Sequence, residues 1–139
     1  MAIVVYIRKE YFRGITLKDK SAHILEFHYK GKQIEVFENN VLVFFCEYLL
    51  ENTYKAQLTE FYIPNITLRS LGYGSVCMQE ILDQLKKKRV SVVRAPLGYT
   101  LAPVGYTGPE QYKELMKAFY EKNGFAISGD ENAAIQILK

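Results

Sequence analysis

The stretch Arg69-Ser70-Leu71-Gly72-Tyr73-Gly74-Ser75 decides the reading of this chain, because the pattern changes across it. Downstream, Val76, Met78, Ile81, Leu82 and Leu85 follow helical spacing, with Gln79, Glu80, Asp83 and Gln84 off that stripe. The spacing predicts a helix from about Gly74 to Lys88. Its basic end complements the partial negative charge of a helix C-terminus. Upstream lies a strand-like segment ending at Pro64. A helix start exposes unpaired backbone N–H groups and about half a positive charge. Glycines let the backbone approach a ligand and adopt positive φ. Successive N–H groups in such a turn can cradle phosphate oxygens, and Arg69 can add a charge-assisted hydrogen bond. The turn therefore suits an anionic group, a pyrophosphate above all. The competing reading is that Gly72 and Gly74 only make a tight turn.

Working back from Pro64, the pattern is that of strands joined by short turns. His23–Tyr29 is rich in bulky and aromatic residues, and Lys30-Gly31-Lys32 is a turn signal. Gln33–Phe37 alternates, Glu38-Asn39-Asn40 turns, and Val41–Leu50 is a long strand. Glu51-Asn52-Thr53 turns again before Lys55–Ile63. Such short connections argue for an antiparallel meander. Residues 1–22 are mixed: a β-branched run at Ile3–Tyr6, then a broken apolar patch at Tyr11–Leu17.

Working forward, Val90–Val93 is a short apolar strand, so strand, helix and strand make a parallel crossover. Residues 96–108 hold three glycines and two prolines and form a loop. Thr107 or Gly108 caps a second helix with Pro109 at its first position. Tyr112, Leu115, Met116, Phe119 and Tyr120 form its apolar stripe, and Asn123-Gly124 ends it. Phe125–Ser128 and Ala134–Leu138 read as two closing strands around Gly129-Asp130-Glu131. The fold class is α+β: a mixed, largely antiparallel central sheet with flanking helices and a short N-terminal region, in a single domain over residues 1–139.

Two familiar phosphate motifs are excluded. No Lys-Ser/Thr follows the second glycine, so the turn is not a P-loop; Cys77 stands where a dinucleotide fingerprint wants a third glycine. The composition is that of an ordinary globular domain, 49% hydrophobic and 24% charged, with 18 basic and 15 acidic residues giving +3. Eleven tyrosines and eight phenylalanines suit strands. The one dense basic run is Lys86-Lys87-Lys88-Arg89, more often a solvated helix end than a nucleic-acid contact. Cys46 and Cys77 lie in apolar stretches and read as buried thiols of a reducing compartment. The longest interior apolar run, Val41–Cys46, is far short of the ~20 residues a membrane span needs. Localisation is expected to be cytoplasmic, without a membrane partner. His23 and His28 are five apart on one strand, so they face opposite sides, and no metal cluster is expected.

Arg69-x-x-Gly72-x-Gly74, after a strand ending Phe61-Tyr62-Ile63-Pro64, resembles the Q/R-x-x-G-x-G/A acyl-CoA signature of the GNAT superfamily of N-acyltransferases. Phe119-Tyr120-Glu121-Lys122-Asn123-Gly124-Phe125 resembles that superfamily's other recurrent segment, and the element order is similar over about residues 23–139. The resemblance implies an N-acetyltransferase that uses acetyl-CoA as co-substrate, with no metal, and passes the acetyl group to a primary amine by direct attack. It implies that the amides of Ser70, Leu71, Gly72, Tyr73, Gly74 and Ser75 hold the CoA pyrophosphate, with Arg69 adding a charge-assisted hydrogen bond. The pantetheine chain would lie where the strand Lys55–Ile63 splays from the next one, pairing with backbone near Phe61 and Ile63. Tyr120 matches the usual general acid, since a phenol is protonated at neutral pH and can donate; the alternative is a core tyrosine on the helix stripe.

Members of that superfamily often use a carboxylate base on the third or fourth strand, though some need none, and the resemblance implies Glu60, Glu47 or Glu51 as candidates here. Glu60 is nearest the thioester end, yet alternation points it opposite to Phe61 and Ile63, and a solvated carboxylate is the other reading.

Three departures from the family pattern stand out. Only 22 residues precede His23, where the family has a strand and two helices, so the acceptor side is open or completed by a partner chain such as a second copy. Pro64 to Arg69 is longer than usual, which predicts an extended pyrophosphate loop. Lys113 stands where the last helix often carries an Asn. Tyr99 and Tyr106 either shape the acceptor pocket or belong to a surface or dimer loop. The acceptor amine is of open class, the rival function is a non-catalytic acyl-CoA-binding or interaction module, and nucleic acid is the weakest reading.

Overall fold

Asn39 and Asn40 take φ of 51° and 65°, which gives a two-residue turn the handedness that suits twisted strands. The turn joins β3 (Gln33–Glu38) to β4 (Val41–Leu50). Gly31, at φ 59°, does the same between β2 (Ala22–Lys30) and β3. These features belong to a computed structural model that describes residues 9–16, 22–64, 69 and 72–138. The remaining elements are β1 (Lys9–Thr16), β5 (Lys55–Tyr62), α1 (Tyr73–Lys87), β6 (Val92–Pro96), α2 (Pro109–Lys122), β7 (Ala126–Ile127) and β8 (Ala133–Ile137).

The chain forms two compact units. The first comprises residues up to Glu47 together with Glu60–Gly74. Within it β1, β2, β3 and β4 pair in sequence order, each antiparallel to the next. The patch Tyr11–Leu17, broken and apolar in sequence, is strand β1 as far as Thr16, in register with β2 from Lys9↔Tyr29 to Thr16↔Ala22. Gly14 and Arg13 interrupt its alternation, which is why periodicity alone does not reveal it. Five residues join β1 to β2. The run Ile3–Tyr6 lies outside the described residues. Leu25, Phe27, Ile34, Val36, Phe44 and Cys46 form the core of this unit on the period-two positions that the pleat turns inward, joined by Val43 where the β3–β4 register shifts.

The second unit comprises Tyr48–Thr59 and the chain from Ser75 onward. Here β5 runs parallel to β6, β6 antiparallel to β8, and β8 antiparallel to β7. The β5–β6 pair is the parallel one that a crossover helix makes. Its ladder covers Lys55↔Val92 to Gln57↔Arg94 and goes no further. Cys77, Met78, Ile81, Leu82 and Leu85 carry the buried face of α1, with Cys77 rather than Val76 at its start. Tyr112, Met116 and Tyr120 carry that of α2, whereas Leu115 is half exposed.

The strand expected at Val90–Val93 is β6, shifted to Val92–Pro96. The reason is the end of α1. Arg89 takes φ 67°, its N–H donates to the Lys86 carbonyl (2.9 Å), and the Val90 N–H donates to the Leu85 carbonyl (3.0 Å). That is a Schellman closure, and it draws Val90 onto Leu85 as part of the cap. Ser91 and Val92 then donate to the Tyr54 carbonyl and start the parallel ladder.

Candidate functional site

The first unit holds the turn before α1. Gly72 sits at φ 107°, a conformation that L side chains rarely adopt, so this position requires glycine. The turn delivers Tyr73 to the first position of α1 and Gly74, buried, to the second. The Tyr73 side chain is 1% exposed. Its hydroxyl donates to Glu38 Oε1, and Glu38 Oε2 lies 2.6 Å from His23 Nδ1. His23 also approaches the Tyr73 hydroxyl at 3.3 Å and meets its ring edge-on. His28 is paired separately, with Glu26 on its own strand. Arg69 Nε donates to the Ile63 carbonyl at 3.1 Å and clasps the start of the turn to the end of β5. Ser70 and Leu71 lie outside the described residues. The first turn of α1 carries no acidic side chain, in contrast to Glu110 on α2. The positive end of its dipole therefore meets no carboxylate of its own helix.

Along β5 the alternation slips by one residue. Ala56 and Leu58 are buried, Thr59 and Glu60 are both exposed, and Phe61 turns in, edge-on to Phe44 with ring centroids 4.7 Å apart. Tyr62 packs against Phe45. Glu60 thus lies on the side away from Phe61, in solvent. Ile63 is half-buried and gives its carbonyl to Arg69, which occupies one of that oxygen's two lone pairs.

The second unit holds Ser75 and Tyr120. Ser75 is joined to the end of α2: Asn123 Nδ2 donates to Ser75 Oγ (3.2 Å) and to the Phe119 carbonyl (2.9 Å), while Asn123 Oδ1 accepts from Gln79 Nε2 (3.1 Å). Tyr120, three residues before Asn123, is 2% exposed and packs edge-on against Phe119 and Phe125. The segment from Phe119 to Phe125 is itself a Schellman cap. Gly124, at φ 93°, donates to the Glu121 carbonyl (3.1 Å), and Phe125 N–H donates to that of Tyr120 (3.0 Å). The Tyr120–Phe125 ring contact, with centroids 5.0 Å apart, is the apolar clasp that accompanies such a cap.

Elsewhere in this unit, Tyr99 and Tyr106 both pack on Tyr112, with centroids 4.6 and 4.8 Å away, leaving Leu101 and Val104 outermost on the loop. At the basic end of α1, Lys88 donates to the Tyr48 hydroxyl at 2.8 Å. Among the described residues no His, Cys, Asp or Glu group could hold a metal ion, and no helix is long and apolar enough to cross a membrane. Sequence spacing singled out neither the Tyr73–Glu38–His23 cluster nor the Asn123 bridge. A tyrosine between two glycines and a helix-ending asparagine carry no long-range signal.

No protein-family model and no curated protein matches the chain. Solved structures do. A GNAT family acetyltransferase from Elizabethkingia anophelis, solved with acetyl-CoA bound, is 10% identical with a TM-score of 0.62, over 81% of this chain and 76% of that one. An acetyltransferase of the GNAT family from Staphylococcus aureus is 15% identical with a TM-score of 0.59, over 77% and 67%. An aminoglycoside 6'-N-acetyltransferase complexed with coenzyme A is 15% identical with a TM-score of 0.58, over 77% and 73%. At these identities the likeness is one of fold.

Proposed function

From the premise that this chain has the GNAT acetyltransferase fold, we propose that it is an N-acetyltransferase moving an acetyl group from acetyl-CoA to a primary amine. The observation that carries the reading is the start of α1: a glycine at φ 107°, a first turn without acidic side chains, and a preceding loop clasped to β5 by Arg69. Backbone N–H groups presented this way bind phosphate oxygens well. In this reading the amides of residues 70–75 hold the CoA pyrophosphate. The end of the β5–β6 ladder at Gln57↔Arg94 supports a course for the pantetheine arm along the continuation of β5 toward Phe61 and Ile63.

The reaction is direct transfer. The amine nitrogen attacks the thioester carbonyl carbon, the C–S bond breaks as the tetrahedral adduct collapses, and the sulfur leaves with the bonding pair. Tyr120 donates its phenolic proton to that sulfur and recovers one from solvent. A phenol is protonated at neutral pH and can donate. The attacking nitrogen loses its extra proton to water or to Glu60, whose solvent exposure suits a route through water. A cytoplasmic setting accords with two reduced, buried thiols, Cys46 and Cys77. The acceptor amine belongs to the proposal, as does a second copy completing the acceptor side.

One observation favours the non-catalytic alternative, an acyl-CoA-binding or interaction module. Only five residues join β1 to β2, where the family resemblance implies two helices that wall the acceptor. Assay of thiol release from acetyl-CoA against small amines and peptides separates the two. Amine-dependent release with an acetylated product by mass supports the transferase. Tight acetyl-CoA binding without release selects the module, and absence of binding removes both.

A further inference from the structure

A role for Glu38 and His23 follows from the coenzyme reading of the turn before α1, on which it rests. Tyr73 is the residue between the two glycines, so its backbone is part of the turn while its side chain is buried in the first unit. The hydroxyl of a buried tyrosine must find a partner, and here the partner is a carboxylate. Glu38 is well fixed to serve. It is the last residue of β3, paired with Val41 across the Asn39-Asn40 turn, and its second oxygen is held by His23 of β2 at 2.6 Å. Hydrogen bonds to an ionised acceptor are about twice as strong as neutral ones. The cluster therefore ties the first residue of α1 to the end of a sheet hairpin.

We propose that Glu38, held by His23, is a positioning residue that sets the start of α1 through the Tyr73 hydroxyl, and with it the direction of the amides that take the diphosphate. Neither Glu38 nor His23 need touch the coenzyme for this. The device also explains why a bulky polar residue occupies a slot where a small apolar one would make the turn. Gly72 sets the backbone just before Tyr73, and the hydroxyl holds the Tyr73 side chain at its far end.

The test uses Tyr73→Phe, which removes only the hydroxyl, and Glu38→Gln, which keeps shape and loses charge. Two readings are taken on each folded variant: amide hydrogen exchange without ligand, and acetyl-CoA affinity by calorimetry. Exchange at Cys77–Gln79, whose amides close the start of α1 on the Tyr73–Ser75 carbonyls, is expected to quicken about tenfold while that of α2 stays put. The Kd for acetyl-CoA is also expected to rise roughly fivefold or more, with kcat at saturating coenzyme changed less than about twofold. A lower melting temperature with unchanged exchange and unchanged Kd would make the cluster merely structural and overturn the inference. If wild-type protein binds acetyl-CoA and both variants bind it equally, the inference fails and the coenzyme reading stands. If wild-type protein does not bind it while exchange still quickens at Cys77–Gln79 in the variants, the anchor stands and the coenzyme reading is the one that fails.

Discussion

Asn123 donates to Ser75 Oγ across 3.2 Å, joining the end of α2 to the first turn of α1. Asn123 is 6% exposed and also serves the Phe119 carbonyl and the exposed Gln79, so it is the buried hub of a part-buried network. Asn123→Ala leaves the Gln79 amide and the Ser75 hydroxyl without that partner. Gln79 is exposed and Ser75 half-buried, so water replaces part of each bond, and we expect a fall in unfolding free energy of about 1 kcal/mol. Urea denaturation checks it through a lowered midpoint at constant slope. A midpoint equal to wild type would mean that the bridge contributes nothing.

The two helix ends make opposite predictions from the same motif. Gly124 and Arg89 occupy equivalent left-handed cap positions, at φ 93° and 67°. Gly124→Ala adds a strained residue whose Cβ meets Gln136 Nε2 at 2.9 Å, a flexible side-chain end that can give way. It should cost about 1 kcal/mol. Arg89→Gly relieves the same strain and should stabilise by up to ~1 kcal/mol, offset in part by the lost cation at a helix C-terminus. Paired thermal melts test the opposite signs.

Tyr120→Phe separates the acid from the core residue. Phenylalanine keeps the ring contacts with Phe119 and Phe125, so the fold should persist. As a general acid, the lost hydroxyl should lower kcat by about 100-fold, with the Kd for acetyl-CoA within about twofold. A normal kcat would leave Tyr120 a packing residue.

Alkaline pH should destabilise the protein through groups that burial keeps protonated. Desolvation first, and Glu47 second, push the Cys46 thiol far above its ordinary 9.0. Burial and Tyr112 push Tyr99 above 10.0. Their folded values exceed the unfolded ones, so the contribution is fully present below pH 9.0 and is lost as pH rises past it. The expected slope is up to about 1.4 kcal/mol per pH unit for each group. Cys46→Ala should flatten the fall between pH 9 and 10 in denaturation at stepped pH; an unchanged slope would count against it.

How far the sequence reveals this molecule depends on the range of each signal. Local chemistry is legible. The Glu38-Asn39-Asn40 turn, the stripe from Met78 to Leu85, and Pro109 opening α2 stand where residue type and spacing put them. Strand edges are less so: β1 hides because Arg13 and Gly14 break its alternation, and β6 starts late because Val90 is drawn into the cap of α1. Contacts between distant segments leave no periodic trace. Nothing in the spacing joins Tyr73 to Glu38, 35 residues away, or Asn123 to Ser75, 48 away. Of the residues read as a site, the turn glycine at 72 has a conformation that explains its identity; Glu60 is distinguished only by exposure.

The central claim is that main-chain amides opening α1 take the diphosphate of coenzyme A. The direct measurement is a titration of 15N-labelled protein with acetyl-CoA, following the backbone amides of Gly72, Tyr73, Gly74 and Ser75 in wild type and in Gly74→Glu. The account predicts saturable, micromolar shifts centred on those four amides and their loss in the variant, which sets a carboxylate where the phosphates belong. Shifts centred elsewhere, or an undiminished response in Gly74→Glu, would contradict it.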